Sequence, residues 1–224
     1  MKKVSISEDV KSLGVFVAIA EVSNVIVKET DPLIEDMVKK IEEKYRLQDP
    51  ELLKNDPVVK AYRDFYWRIG IDPTKIRPSG EALRRRIARG NKFPRINTVV
   101  DIGNISSVET LVPIGIYNRD KVIGNLYLTL SKGGEDFLGL GKKIEKLNRG
   151  VPILVDDEGK VLHIYPHRDS ILTSISLDTK NVIVIGAGVP KVDESLVKYA
   201  VDLVVDLLEK ICNGKRDYET QVIK

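Results

Sequence analysis

The sequence is poor in the residues that most often carry thiol or metal chemistry. Its 224 residues include one cysteine, two histidines and two methionines. The single cysteine, Cys212, excludes an internal disulfide and suits a reducing compartment. No run of about 18 apolar residues occurs, which excludes a typical transmembrane helix. We therefore expect a globular protein of the cytoplasm.

The N-terminus lacks the layout of a targeting signal. The apolar stretch from Leu13 to Ala20 is short, and Glu8 and Asp9 separate it from the lysines at the start. We interpret this stretch as the first strand, and we expect no contact with a membrane.

The net positive charge is small, but basic residues are concentrated in one segment. The formal net charge is only +3, so the molecule is not a polycation. Between Lys75 and Arg95 the only acid is Glu81, whereas the bases are Lys75, Arg77, Arg84, Arg85, Arg86, Arg89, Lys92 and Arg95. Such a stripe is typical of a surface that binds a phosphate backbone. It is also typical of a solvated helix face paired with acids from elsewhere, and charge alone leaves both interpretations open.

Asp-Pro pairs and apolar periodicity predict the helices. Asp accepts a hydrogen bond from the first helical turn, and Pro is tolerated at the first helical position. Ser79 is predicted to cap the basic segment in the same way. Asp49-Pro50 opens only a short turn. The predicted helices run from Pro32 to about Arg46, from Pro57 to Gly70, from Ser79 to Gly90 and from about Asp193 to Cys212.

From residue 98 onwards the pattern predicts strands. They are expected at 98–102, 113–117, 121–130, 152–156, 160–165 and 181–187. Helices, then a strand-rich body, then a helix predict an α+β fold, with residues 1–224 in one domain.

Three familiar site patterns are incomplete. VIVIGAGVP (182–190) lacks the third glycine and the later acid of a dinucleotide fingerprint. His163 and His167 would lie about 13 Å apart in a strand, too far for one ion unless the chain bends at Pro166. No G-x-S-x-G motif is present, and Cys212 belongs to an apolar helix. We therefore predict no cofactor, no metal and no nucleophilic triad.

Two polar stretches are candidates for a site. Residues 100–118, VDIGNISSVETLVPIGIYN, carry Asp101, Asn104, Ser106, Ser107 and Glu109 between apolar ends. Such side chains either cap a turn or form a site. In the second stretch, Arg168 and Asp169 at a strand end could bind a carboxylate, a phosphate or a ribose, or could pair locally.

The segment 77–126 resembles the tRNA-editing domain of the phenylalanyl-tRNA synthetase beta subunit, which comprises its third and fourth modules. It is also similar to free-standing proteins built from that domain alone. The shared positions are Pro78-Ser79, Arg86-Ile87, Ile96-Asn97, Val100-Asp101, Asn104, Pro113 and Tyr117. Residues 66–73 and 166–184 resemble the free-standing relatives, so the resemblance spans about 60–187. It implies layered sheets around a cleft that hydrolyses wrongly attached tyrosine from tRNA.

Two positions depart from the synthetase pattern. The synthetase's pocket histidine, two residues after the proline, is Gly115 here, and its aspartate after the aromatic residue is Asn118. The synthetase pocket chemistry is therefore not carried over whole. We expect the glycine to leave a roomier pocket that admits a different side chain.

The resemblance implies a site for an aminoacyl ester on a terminal adenosine. Asp101 or Glu109 would hold the ammonium, although Asp101 is equally suited to be a structural cap. Asn104, Ser106 and Ser107 would position water and donate to the oxyanion. The other expected pocket residues are Pro113, Gly115, Tyr117, Asn118, Arg168 and Asp169. The expected contacts to tRNA phosphates are Arg84, Arg85, Arg86, Arg89 and Lys92.

Three functions stay open at this point. A deacylase acting in trans on the aminoacylated 3′ end of tRNA requires a cleft with Asn104 and Ser107 on the same face as the Arg84–Arg89 helix. A tRNA- or RNA-binding module without catalysis is favoured by Gly115. A binder of free amino acids or other small molecules would use the same pocket. The expected partners are tRNA and, as an association, a synthetase, whereas the oligomeric state is left open.

Overall fold

The computed structural model describes residues 2–141 and 143–224. The α-helices are α1 (Glu8–Lys11), α2 (Pro32–Tyr45), α3 (Pro57–Arg68), α4 (Ser79–Ala88), α5 (Thr98–Thr110) and α6 (Glu194–Cys212). The strands are β1 (Val4–Ile6), β2 (Phe16–Ser23), β3 (Ile114–Asn118), β4 (Leu126–Leu130), β5 (Asp136–Leu138), β6 (Ile144–Lys146), β7 (Pro152–Asp156), β8 (Val161–Ile164), β9 (Arg168–Asp169), β10 (Val182–Gly188), β11 (Lys215–Arg216) and β12 (Gln221–Ile223).

The strands form two larger sheets and a hairpin. One sheet has the order β11-β2-β10-β3, with β12 also beside β2, and its pairs are antiparallel. The other has the order β1-β4-β7-β8-β9, in which β1 and β4 are parallel and the other pairs antiparallel. β5 and β6 form the hairpin. Mostly antiparallel sheets with segregated helices confirm the predicted α+β class.

The predicted Asp caps are confirmed. Asp31 accepts a hydrogen bond from Leu33 N at the start of α2, and Asp56 accepts one from Val58 N at the start of α3. Each such cap stabilises its helix by about 1 kcal/mol. Ser79 was expected to cap α4, but it is the first helical residue, and Pro78 occupies the cap position without a side-chain bond.

The strand predicted at 98–102 is wrong, because these residues begin α5. Asn97 caps this helix by accepting a hydrogen bond from Val100 N at 3.0 Å. Nearly every residue of α5 is buried, so the sequence shows no polar face with a period of 3.6 residues. Its β-branched residues favour strands locally, and burial among the other helices decides against that preference.

Helix α5 lies at the centre of the helical layer. Ser106 donates to the carbonyl of Ala200 in α6 at 2.7 Å, which ties the two helices together. Gly80 lets α4 approach equally closely, because a Cβ there would lie 2.6 Å from Ser107 O. Because α5 is fixed from two sides, its remaining face toward β3 is held in a defined position.

The predicted bounds of two strands also differ from the structure. The strand predicted at 121–130 begins only at Leu126, because Arg119–Lys121 form a 3₁₀ turn. The stretch expected to be the first strand is the second, β2, which starts at Phe16 and follows β1 at Val4–Ile6. Among the described residues, no helix is both long enough and apolar enough to cross a bilayer.

Candidate functional site

A chamber of about 310 Å³ opens between α5, β3 and the segment that follows β9. Its aliphatic wall comprises Ile96, Val100, Ile114, Ile116, Leu140, Ile171 and Ile175. Its polar groups belong to Asn104, Tyr117, Asp169, Ser170 and Ser174. This volume lies at the lower end of the range for small-molecule pockets, about 300–1,000 Å³. Space of this kind, mainly apolar with a few polar groups, suits a single amino-acid side chain.

A smaller cavity of about 50 Å³ lies beside the chamber. Ile114, Tyr117 and Asp169 line both spaces, so the two share part of their wall. Two polar atoms of the small cavity, Ser79 Oγ and His167 Nδ1, are buried and have no hydrogen-bond partner among the described residues. Buried polar atoms normally have a partner, so these two mark a place for water or for a polar group of a ligand.

The two histidines of the chain line this small cavity together. The bend at Pro166 brings them into one wall, unlike the extended spacing expected of a strand. Burial, His163 and Arg168 lower the pKa of His167 to about 3, so its imidazole is neutral near pH 7. Within the described residues, His, Cys, Asp and Glu form no cluster of three that could hold a metal.

His163 is paired with Asp169. Antiparallel pairing of β8 with β9 places the two residues opposite each other, with His163 Nδ1 2.9 Å from Asp169 Oδ1. The imidazole also lies edge-on to the rings of Tyr117 and Tyr165, with centroids 6.3 and 6.0 Å away. One hydrogen bond and two aromatic neighbours therefore fix the ring in orientation.

Tyr117 fills the space that Gly115 was expected to leave open. A Cβ at position 115 would lie 2.1 Å from Tyr117 Oη and 2.7 Å from its Cζ. The expectation of a roomier pocket is thus wrong, because the tyrosine hydroxyl occupies the space beside the glycine. Burial, and to a lesser degree Asp169, raise the pKa of Tyr117 well above its usual value, so the phenol stays protonated.

Both carboxylates expected to bind an ammonium are engaged elsewhere. Asp101 is fully buried and accepts hydrogen bonds from Ile96 N at 2.9 Å and Arg95 Nε at 2.7 Å. Its role is that of a structural cap, the alternative left open by the sequence. Glu109 accepts from Lys44 Nζ at 2.6 Å and the Tyr45 hydroxyl at 3.1 Å, facing α2. Neither residue lines the chamber.

Of the other polar residues on α5, Asn104 alone reaches the chamber. It is half-buried, and its side chain makes no hydrogen bond to another described residue. Ser106 is committed to Ala200 O, and Ser107 is buried at the contact with α4. The prediction that Asn104 and Ser107 line one cleft is therefore wrong, because only Asn104 reaches the chamber.

The expected pocket residues divide into two groups. Pro113 and Gly115 line the small cavity, whereas Tyr117 and Asp169 line both spaces. Asn118 lies outside both, because it caps a 3₁₀ turn by accepting from Asp120 N and donates to Thr179 Oγ1. Arg168 pairs with Glu145 at 2.5 Å and stacks over Phe137, away from the chamber.

The basic stripe on α4 does not form a uniform exposed face. Arg84 donates to the carbonyls of Val108 and Glu109 at the end of α5. Arg85 is buried against Glu81, at 2.8 Å. Arg84 thus joins α4 to the end of α5, and Arg85 joins Glu81 of α4 to Glu51 in the segment between α2 and α3. These internal contacts correct the expected role of both arginines as phosphate contacts.

The outer part of the stripe remains available to a partner. Arg86 is exposed, and the side chains of Arg89 and Lys92 are 52% and 80% exposed. Glu51 lies 3.4 Å from Arg89, and Glu42 lies 3.3 Å from Lys92. The Glu51 carboxylate is 59% exposed, so a backbone phosphate can compete with it for Arg89, whereas Glu42 is mostly buried and holds Lys92 more firmly.

One hydrogen-bonded pair of the site, His163 with Asp169, is not evident from the sequence. The spacing of the histidines suggests His163 only as a metal ligand, and no local pattern indicates a hydrogen bond to Asp169. The pair depends on the β8–β9 register, which no local pattern reveals. The only available signal was a histidine and an acid flanking a proline turn in HIYPHRD (163–169).

Comparison with known families finds one match over most of the chain. The B3/4 domain matches residues 61–213. This range contains α4, α5, both cavities' polar residues and α6. It begins where the resemblance noticed in the sequence begins and extends further toward the C-terminus.

The curated relatives that match part of this chain are beta subunits of phenylalanine–tRNA ligase. The beta subunit of phenylalanine–tRNA ligase from Malacoplasma penetrans is 29% identical over 119 residues, which cover 53% of this chain and 15% of that protein. The corresponding subunit from Rhodopseudomonas palustris is 34% identical over 82 residues, 37% of this chain and 10% of that protein. The alignments thus span only a small part of these relatives.

The fold is shared with part of a solved structure. An N-terminal fragment of the phenylalanyl-tRNA synthetase beta subunit from Pyrococcus horikoshii superposes with a TM-score of 0.52 and 19% identity. The match covers 96% of this chain and 50% of the fragment. At this identity the likeness concerns the fold alone.

Proposed function

The chain belongs to the B3/4 domain family, and we propose that it is a tRNA-editing module that hydrolyses the ester of mischarged tRNA in trans. Its substrate would be an amino acid wrongly attached to the terminal ribose of a tRNA. The products would be the free amino acid and a tRNA ready for charging again. We place this activity in the cytoplasm, where it would complement a synthetase.

One observation carries the proposal, namely a chamber of amino-acid size whose few polar groups match an aminoacyl ester. Asp169 Oδ1 is bonded to His163, and the other oxygen of this carboxylate, which lines the chamber, can bind the substrate ammonium through a charge-assisted hydrogen bond. The uncommitted amide of Asn104 can donate to the ester carbonyl, where negative charge develops during attack by water. The aliphatic wall would receive the side chain.

Hydrolysis of an ester requires less catalytic assistance than hydrolysis of an amide, because the alkoxide of an ester is a better leaving group. Holding the carbonyl, the ammonium and a water in a fixed relation supplies much of the acceleration that such a reaction requires. The proposal therefore requires neither a metal nor a covalent intermediate.

Replacing Asn104 tests this assignment directly. We expect Asn104→Ala to slow deacylation by about 10²–10³-fold, the usual cost of one lost oxyanion donor, with tRNA binding unchanged. The measurement is the single-turnover loss of the ester from tyrosyl-tRNA specific for phenylalanine, followed by similar tRNAs carrying aliphatic amino acids. Asn55→Ala, an exposed asparagine in the turn between α2 and α3, is the matched control. Equal rates for both variants would contradict the role of Asn104.

Exposed bases on and after α4 would contact the tRNA backbone. We expect Arg86→Ala combined with Arg89→Ala to weaken tRNA binding and to reduce the slope of log Kd against log salt by about one per lost phosphate contact. Filter binding over a salt series measures both quantities. Lys210→Ala combined with Lys215→Ala removes the same charge from exposed positions of the C-terminal region and should leave the slope unchanged. Equal slopes for the two pairs would exclude this surface.

A second function has one observation in its favour. The Tyr117 hydroxyl takes up space beside Gly115, where the resembling synthetase domain carries its pocket histidine. A module that binds tRNA without hydrolysing it would tolerate such filling. For such a binding module, we expect the same dependence of tRNA affinity on salt as for the editing enzyme. No ester would be hydrolysed faster than in buffer.

A further inference from the structure

His163 and Asp169 form an oriented imidazole–carboxylate pair in the wall of the two cavities. Asp169 is an acceptor when ionised, so the 2.9 Å contact places the imidazole proton on Nδ1. The other nitrogen, Nε2, then carries a lone pair. It makes no hydrogen bond to any residue that the structure describes. An imidazole held in this tautomer by a carboxylate is arranged to accept a proton.

The small cavity next to this imidazole is suited to a water molecule. Its volume of about 50 Å³ exceeds the space that one water needs, on the order of 10–15 Å³. Ser79 Oγ and His167 Nδ1 are both buried in its wall without a protein partner, and each can bond to a water. With His163 they provide the two to four polar neighbours of a typical buried water.

His167 is not an alternative base. Its imidazole is largely buried, and burial together with His163 and Arg168 lowers its pKa to about 3. It makes no hydrogen bond with a carboxylate. His167 therefore remains a neutral polar neighbour of the water, whereas His163 has the carboxylate that stabilises an imidazolium.

The small cavity lies beside the chamber, and Asp169 and Tyr117 form part of the wall of both. We propose that His163 is the catalytic residue that activates the hydrolytic water, and that Asp169 positions the imidazole of His163. This inference rests on the proposed function and adds to it a base that neither the family match nor the relatives assign.

The step is an ordinary ester hydrolysis. His163 Nε2 accepts a proton from the water as the water oxygen bonds to the ester carbonyl carbon. The bond between that carbon and the ribose oxygen then breaks, and the proton passes from Nε2 to the ribose oxygen. Free amino acid and a tRNA with its ribose hydroxyl restored leave the site, and His163 returns to its neutral form.

Two variants of His163 separate catalysis from structure. His163→Gln keeps a side-chain donor for Asp169 but has no base, and we expect it to lose about 10²–10³-fold in single-turnover deacylation while its melting temperature and tRNA affinity stay close to wild type. His163→Ala leaves a space, and added imidazole should restore part of its rate. Asp169→Asn should lower the rate as well, because the amide neither fixes the tautomer of His163 nor carries the charge that binds the ammonium. Lys191→Gln, at an exposed position outside both cavities, is the control.

The outcomes distinguish this inference from the proposed function. If wild type deacylates tRNA and His163→Gln stays within about threefold of it, His163 is not the base and the proposed function still stands. A folded His163→Ala variant that loses activity and gains nothing from imidazole would also overturn the assignment. If wild type hydrolyses no ester in the panel, the proposed function fails and the inference falls with it.

Discussion

Glu81→Gln should lower the free energy of unfolding by about 3–5 kcal/mol, the cost of removing one partner from a buried ionic group. Glu81 is fully buried in α4 and lies 3.2 Å from Arg63 Nε and 2.8 Å from Arg85 Nε. Arg77 Nε completes the group at 4.0 Å. A neutral amide would leave the Arg85 guanidinium, whose side chain is 5% exposed, poorly compensated where water has little access.

Urea unfolding of Glu81→Gln beside Glu51→Gln measures the effect of burial. Glu51 contacts the same arginine, with its carboxylate 2.9 Å from Arg85 Nη1, but its side chain is 59% exposed. We expect the exposed substitution to cost at most about 1 kcal/mol. Comparable losses from both substitutions would show that the buried group does not hold α3 and α4 together.

The buried ionic group around Glu81 limits which arginines can be replaced in a test of RNA binding. Replacing Arg85 would disturb Glu81 and weaken the fold, so a fall in tRNA affinity of that variant would not identify a phosphate contact. Arg86 and Arg89 are exposed and can be replaced without touching this buried group.

Gly115→Ala should destabilise the protein by about 1–3 kcal/mol, the usual cost of overpacking a filled interior. The added Cβ would overlap Tyr117 Oη, at 2.1 Å, and Tyr117 is only 1% exposed. The ring is packed edge-on against His163, so it cannot move without disturbing the site. Thermal unfolding measures the loss, and deacylation should fall with it.

A double-mutant cycle with Tyr117→Leu identifies the cause. Shortening this side chain creates space beside position 115, so the double variant should be more stable than the sum of the two single losses predicts. Gly141→Ala is the control, because an added Cβ there meets nothing within 4 Å. Additive losses would mean that Gly115 is required for its backbone and not for the space that Tyr117 takes.

Local signals in the sequence predict helices well when one face is exposed. α2, α3 and α6 each begin after an aspartate and show apolar residues at helical spacing, and each lies within a few residues of its predicted bounds. α5 lacks that contrast, because it is buried nearly all around, and its Thr and Val residues favour a strand. Only its packing against α4 and α6 makes it a helix.

The site was predictable only in part, because its residues come from distant segments. Asn104, Tyr117 and Asp169 were chosen by resemblance or by residue type, and the structure does bring them to one chamber. Asp101, Glu109, Arg84 and Arg85 are of the expected types as well, yet each is bound to a partner that no local pattern reveals. The His163–Asp169 pair requires knowledge of strand register.

The most direct test is single-turnover deacylation of mischarged tRNA by the wild-type protein in excess, beginning with tyrosyl-tRNA specific for phenylalanine and continuing with tRNAs that carry aliphatic amino acids. We expect ester loss well above the buffer rate for at least one of these tRNAs, slowed about 10²–10³-fold by His163→Gln and by Asn104→Ala but retained by Asn55→Ala. Ester loss at the buffer rate for every tRNA, with tRNA binding intact, would contradict a hydrolytic role and leave a tRNA-binding module.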